Sequence, residues 1–254
     1  MLRIEDICAG YNGRTVIEDI NFVCRPGELT AVLGLNGTGK TTLLNVLCGL
    51  LKPKKGKVIV NGHDILKISE RERARNISLM PQRHSIIYDT KVIDVVLTGI
   101  TPHLAFFETP SKTHKEAAED ILRMLKMEQY SEKNFLELSE GQKQLIIFGR
   151  TLLQNSEIML FDEPDSSLDY RNKHMLIDKI KDVLSSDQKI GLVTLHDPNL
   201  ALCYCDNIII IWEGTIYAKF PTKDLDVSYI NRIFSKLLGN VSILCHKDKY
   251  VIAR

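Results

Sequence analysis

Gly34-Leu35-Asn36-Gly37-Thr38-Gly39-Lys40-Thr41 satisfies the pattern G-x-x-x-x-G-K-[ST] without a mismatch. Glycines let the backbone wrap close to phosphate oxygens, and successive N–H groups at the start of a following helix receive the negative charge. In that pattern Lys40 reaches the β- and γ-phosphates, and Thr41 offers its hydroxyl to Mg²⁺. The loop from Gly34 to Thr42, with Asn36, Gly37, Thr38 and Gly39 around the phosphates, is expected to bind ATP with magnesium. Phosphoryl transfer also needs a second carboxylate near the metal and a group that orients water. Ile158-Met159-Leu160-Phe161-Asp162-Glu163 supplies both at the end of one apolar run. Asp162 is expected to hold Mg²⁺, and Glu163 to orient or activate the attacking water.

A second device lies between them. Leu138-Ser139-Glu140-Gly141-Gln142 precedes Leu145, Ile146, Gly149, Leu152 and Leu153 at helical spacing. Ser139 with Gln142 makes a capping box, so a helix begins here with orphan N–H groups. Beside Gly141, such a helix start is also able to bind phosphate. A plain capped helix has the same pattern. One chain has only one γ-phosphate to offer, so two devices exceed what one self-contained site needs.

These residues require strands and helices in a set order. Leu2 to Ile7 and Thr15 to Cys24 alternate as strands, and Leu29 to Leu33 reads as a fully buried strand leading into the glycine loop. Thr41 to Leu50 is helical and closed by Gly49. Lys57 to Val60 is a short strand ending at an Asn61-Gly62 turn. From about His84 to Leu138 strand signals vanish, and Lys112 to Met127 has helical periodicity. Glu157 to Phe161 and Ile190 to Thr194 return as buried strands around a helix at Lys173 to Leu184, which implies a parallel sheet. A hairpin across Glu213-Gly214, a helix near Val227 to Leu238 and a strand pair around Lys247-Asp248 complete the reading.

With 254 residues, 44% apolar and 26% charged, the chain has the composition of an ordinary globular protein. Its net charge of +1 demands no polyanionic partner. The basic run at Lys52, Lys54, Lys55 and Lys57 surrounds Pro53 and Gly56 as a solvated turn, so no nucleic-acid partner is expected. The start, Met1 to Asp6, carries acids where a secretory signal needs an apolar core, and no apolar run approaches the ~20 residues of a bilayer span. A cytosolic chain is expected, with its six cysteines reduced, buried and without a metal or redox role.

The set of motifs resembles the ATP-binding subunits of ABC transporters over nearly the whole chain. Leu138 to Gln142 is similar to the LSGGQ signature, with Glu140 in the place of the third-position glycine. Tyr11 stands where that family stacks an aromatic ring on adenine. Gln82, in Leu79-Met80-Pro81-Gln82, matches the glutamine that contacts metal and water. Ser166-Ser167-Leu168-Asp169 resembles the D-loop, and His196, in Thr194-Leu195-His196-Asp197, the switch histidine at the γ-phosphate. Singly, Tyr11 reads as a surface turn aromatic, Gln82 as a loop amide and His196 as a strand-end histidine. Their order and spacing carry the resemblance.

That resemblance implies an α/β fold: a P-loop core with a mainly parallel sheet, an antiparallel β subdomain and a helical insertion. Residues 1–83 and 151–219 would form the core, 84–150 the insertion and 220–254 an extension. It implies a head-to-tail dimer, in which Ser139 and Gly141 of one copy close over ATP held by Lys40 and Thr41 of the other, with Gln142 and Asp169 also among the nucleotide-binding residues. The side chain of Glu140 is expected to point away from the phosphates. The apolar stretch from Ser85-Ile86-Ile87-Tyr88 to Phe106-Phe107 would divide between a core and a docking surface for transmembrane permease subunits at the cytoplasmic face. Thr101-Pro102-His103, with Phe106-Phe107, resembles importers of iron–siderophore, haem, cobalamin and related metal chelates, which also use an extracytoplasmic substrate-binding protein. A non-transport relative, an exporter subunit and a GTPase are the rival readings. The last lacks an N-K-x-D motif: Asn172-Lys173-His174-Met175 misses the acid.

Overall fold

The computed structural model describes residues 1–82, 88–223, 225–246 and 249–253. The fold is α/β, with a mainly parallel sheet at its centre. Strands β3 (Leu29–Leu33), β7 (Ile158–Asp162) and β8 (Ile190–Thr194) are buried at every position. Continuous apolar runs of this kind suit strands covered on both faces. With β6 (Ile77–Met80), β9 (Asn207–Trp212) and β10 (Thr215–Pro221) they form a six-stranded sheet in the order β10-β9-β3-β8-β7-β6. All neighbours in it run parallel except the β9–β10 hairpin.

One face of this sheet is covered by α1 (Lys40–Leu47) and a second, antiparallel sheet. That sheet has the order β2-β1-β4-β5, from β1 (Leu2–Ala9), β2 (Ile17–Cys24), β4 (Lys55–Val60) and β5 (His63–Asp64). Leu43, Leu44 and Leu47 share a core there with Ile4, Ile20 and Val32. The other face packs against helices, in a core that joins Ala31, Phe161 and Val193 to Ile146, Ile177 and Leu200. Val32 and Ala31 thus enter opposite cores, as the two-residue period of a strand requires.

The helices on that second face are α3 (Val92–Leu97), α4 (Lys112–Met124), α5 (Glu140–Leu153), α6 (Tyr170–Ser186), α7 (Pro198–Tyr204) and α8 (Val227–Leu238). A short α2 (Glu70–Asn76) precedes β6, and a hairpin of β11 (Ser242–His246) and β12 (Lys249–Ala253) follows α8. The stretch from Tyr88 to Phe107 divides between core and surface. Val92, Ile93, Val95 and Val96 are buried, whereas Tyr88, Phe106 and Phe107 are at least 75% exposed. Residues 85–87 of that stretch, and the Lys247-Asp248 turn, lie outside the described residues.

Several boundaries differ from the sequence reading, each for a local reason. Helix α1 ends at Leu47 rather than Leu50, because Gly49 adopts φ +75 and turns the chain. Helix α6 starts at Tyr170, not Lys173, because the Asp169 side chain accepts from Asn172 N–H and caps it. Strand β2 begins at Ile17 rather than Thr15. Helices α2 and α7, of seven residues each, and the four-residue β6 were too short to show a period. The cysteines are not uniformly buried: Cys24 and Cys205 are, Cys8, Cys48 and Cys203 are half-buried, and Cys245 is exposed. Burial pushes the Cys24 thiol up to about 12, so it stays neutral at physiological pH.

The turn after α3 meets α5 at Gly99. A Cβ there would lie 2.2 Å from the carbonyl oxygen of Arg150, inside backbone that cannot swing aside. Gly99→Ala is expected to lower stability by about 1–3 kcal/mol, read from the midpoint of a denaturant titration.

Candidate functional site

In a parallel sheet the C-terminal ends of the strands share one edge, and ligands bind where the strand order reverses. Here β3 lies between β8 and β9, so the loop that leaves β3 sits at such a reversal. That loop is Gly34 to Gly39, and α1 begins directly after it at Lys40. Gly39 occupies the N-cap at φ +106, and a Cβ on it would lie 2.2 Å from Ile17 Cγ2. Only glycine fits both conditions. No side chain caps α1, whereas Ser111, Ser139 and Asp169 cap α4, α5 and α6. The N–H groups of its first turn are left for a ligand.

Lys40 is buried and folds back over the loop, donating to the carbonyls of Gly34 at 2.9 Å and Leu35 at 3.3 Å. Its Nζ lies 3.9 Å from Glu163 Oε1. Desolvation pulls the pKa of this ammonium down, and the charges of Glu163 and Asp162 oppose that. Thr38 turns its hydroxyl to Leu35 O at 2.9 Å and braces the loop from within.

The acids arrive at the end of β7. Asp162 pairs in register with Thr194 on β8, so both stand at the same sheet edge. Thr194 donates to Asp162 Oδ1 at 2.8 Å and accepts the Glu163 N–H at 2.8 Å. Thr41 also donates to Asp162 Oδ1, at 3.3 Å. Burial raises the pKa of the Asp162 carboxyl, the Thr194 and Thr41 hydroxyls oppose this, Glu163 raises it further and Lys40 lowers it.

Glu163 leaves the strand at φ +48, an uncommon left-handed conformation for a residue with a Cβ. Its carboxylate is a hub. Oε1 lies 2.6 Å from His196 Nε2, and Oε2 accepts from Gln82 Nε2. Residues 82, 163 and 196, spread over the chain, therefore meet on one carboxylate above Lys40.

Around them lies a cleft of about 490 Å³. It is lined by Tyr11 and Val16, by Asn36, Gly37, Gly39, Lys40, Thr41 and Thr42, and by Gln82, Glu163 and His196. Tyr11 is 45% exposed, with its hydroxyl accepting from Asn45 Nδ2 at 3.2 Å. Gly34 lines a neighbouring cavity rather than this cleft. Val16, Asn45 and Thr194 were not among the residues singled out from sequence. A threonine closing a buried strand in register with an acid is the one pattern that would have pointed to Thr194.

The remaining predicted residues are not brought to this cleft. Ser139 caps α5 in the expected reciprocal box with Gln142, at 3.3 Å and 3.0 Å. A Cβ on Gly141 would meet Leu168 at 3.2 Å, so this helix start packs beside the loop that ends at Asp169. The Asp169 carboxylate serves its own helix, accepting from Asn172 N and Nδ2. Glu140 is 65% exposed at its side chain and pairs with Lys143 at 2.8 Å.

A glycine phosphate loop at a strand-order reversal, with paired acids on a nearby strand of the same sheet, defines a P-loop nucleotide hydrolase core. The family model described as "ABC transporter" matches residues 17–166. An ABC transporter ATP-binding protein of Methanocaldococcus jannaschii is 35% identical over 92% of this chain and 91% of its own. A Helicobacter pylori protein named "Probable iron chelatin transport ATP-binding protein" is 30% identical over 99% of this chain and 98% of its own. A chain of a solved transporter described as metal-chelate type and inward-facing is 25% identical, with a TM-score of 0.83, covering 99% of this chain and 95% of that one. The chain belongs to the ABC transporter family, as an ATP-binding subunit that hydrolyses ATP. Among the described residues no helix is long and apolar enough to cross a membrane.

Thr194→Val keeps the shape of the strand end but removes the hydroxyl that serves both acids. It is expected to cost about 1–3 kcal/mol of stability, because the buried Glu163 N–H and Asp162 Oδ1 each lose a partner. Comparing denaturant midpoints of the two proteins checks this.

Proposed function

We propose that the chain powers import of a metal chelate, such as an iron–siderophore complex, haem or cobalamin, from the cytoplasmic face of a membrane. The observation that carries the mechanism is the hub at Glu163, where Gln82 and His196 converge on one carboxylate above the phosphate loop. In this reading Glu163 accepts a hydrogen bond from the attacking water and orients it toward the γ-phosphate. Lys40 and the uncapped start of α1 bind the phosphate oxygens, and His196 contacts the γ-phosphate. Tyr11 stacks on adenine.

Asp162, Glu163 and Lys40 together carry a formal charge of −1 beside a loop built for polyphosphate, so a divalent cation would balance the site. Thr41 and Asp162 offer oxygens 3.3 Å apart. Among the described residues no cluster of three or more His, Cys, Asp or Glu could hold a metal by itself. That suits Mg²⁺, which keeps several waters and takes other ligands from phosphate. Thr41, Asp162 and Gln82 would hold it, and when bound it neutralises charge that develops on the phosphate oxygens.

Ser139, Gly141, Gln142 and Asp169 have no place in this chain's own cleft, which favours their use by a second copy arranged head to tail. Residues 1–83 with 151–219, residues 84–150 and residues 220–254 act as core, helical arm and extension. Metal-chelate cargo rests on the Thr101-Pro102-His103 stretch and on the names borne by the Helicobacter pylori relative and the solved transporter. A binding protein outside the membrane would deliver that cargo. Permease subunits would dock beside the edge-to-face pair Phe106 and Phe107, which are 88% and 92% exposed.

Glu163→Gln is expected to retain ATP binding, lower turnover by about 100-fold or more and accumulate a dimer when ATP is added. ATP hydrolysis and gel filtration report the two effects, and unaltered turnover would remove Glu163 from the mechanism. Cysteine placed at Phe107 is expected to crosslink to a permease subunit in the assembled transporter. Recovery of only uncrosslinked chain would move the docking surface elsewhere.

A further inference from the structure

The terminal hairpin reaches the loop that carries His196. In it Ile252 stands opposite Ile243, and a two-stranded hairpin alone is marginal in water. Its outer edge carries N–H and C=O groups with no strand beside them. At Ile252 one side chain takes both: Asn199 Oδ1 accepts from Ile252 N–H at 2.7 Å, and Asn199 Nδ2 donates to Ile252 C=O at 3.3 Å. A carboxamide has one acceptor end and one donor end, so a single amide orientation satisfies both bonds.

Asn199 lies in the first turn of α7, just after His196. Asp197 caps this helix by accepting from Asn199 N–H at 2.9 Å, and Pro198 fills its first position. His196 is thus joined to Asn199 by a capped turn stiffened by proline. Lys173 of α6 holds the other oxygen of Asp197 at 3.3 Å. On a further side the loop is not packed. A cavity of about 520 Å³ separates His196 and Pro198 from Phe234, Leu237 and Leu238 of α8 and from the back of the phosphate loop. Leu195 before the histidine and Leu200 and Ala201 after Asn199 are buried in the core, so the segment is anchored at both ends and open only on the side of His196 and Pro198.

We propose that Asn199 is a positioning residue for His196, docking the C-terminal hairpin onto the histidine loop so that ATP turnover depends on the tail. The proposal rests on the role given to His196 above. When the hairpin is docked, α7 and the loop before it are fixed, and the imidazole stays on Glu163. When Asn199 lets go, His196 keeps its chemistry but samples positions away from the γ-phosphate.

In the purified full chain, Asn199→Ala is expected to lower kcat for ATP hydrolysis about tenfold while KM for ATP stays within about twofold. Ile252→Pro removes the N–H that Asn199 accepts and spares the ladder, because that group faces away from β11. It is expected to give the same loss. In a His196→Ala background neither change is expected to lower kcat further. Wild-type kcat in Asn199→Ala, or a full-sized loss that persists without the imidazole, overturns the positioning role. Wild-type turnover in His196→Ala overturns the role of His196 itself, and this proposal with it.

Discussion

The register that sets Asp162 of β7 opposite Thr194 of β8 is the constraint on which the site depends. It lets one hydroxyl hold the Asp162 carboxylate and the Glu163 amide together. A shift by one residue would turn Asp162 into a core and carry Glu163 off the edge, since side chains alternate along a strand. Parallel strands covered on both faces resist such a shift, because every position of β7 and β8 is buried in a filled core and only their last residues, Asp162 and Thr194, are polar. The Asp162 and Glu163 end of the site is therefore tied to the core beneath it.

On that edge the buried charges restrain one another. Lys40 lies under two carboxylates and makes two bonds to backbone carbonyls of its own loop. A buried ammonium with no such partners would tend to lose its proton, and a buried carboxylate to gain one. Together they stay poised for a polyphosphate and a cation. Glu163 adds a left-handed backbone turn to this arrangement, a conformation that persists where neighbours hold it in place. Thr194, Gln82 and His196 are those neighbours.

The distribution of phosphate-binding devices has a mechanical consequence. The uncapped start of α1 faces the cleft, while the start of α5, beside Leu168, lies apart from it. Under the head-to-tail reading, ATP would join two incomplete halves, and the energy of phosphate binding would appear as closure. The C-terminal hairpin is bonded to Asn199 in the first turn of α7, three residues after His196, so the tail and the γ-phosphate would act on one short segment.

Much of the site was legible from sequence because its chemistry is local. The glycine loop, the two acids and the Ser139–Gln142 box each need only a few consecutive residues, and the boundaries of β3, β8 and α8 follow from unbroken apolar or helical periods. Short elements were not legible: β6, α2 and α7 hold too few residues to display a period. Thr194 and Asn199 were missed for a different reason. Their partners lie 32 and 53 residues away, and only strand register and hairpin docking bring them together. The sequence alone determined which groups could bind and cleave a phosphate. Tertiary structure decided which of them meet on the Glu163 carboxylate, because hydrogen bonds act over about 3 Å and local sequence cannot set distances between remote strands.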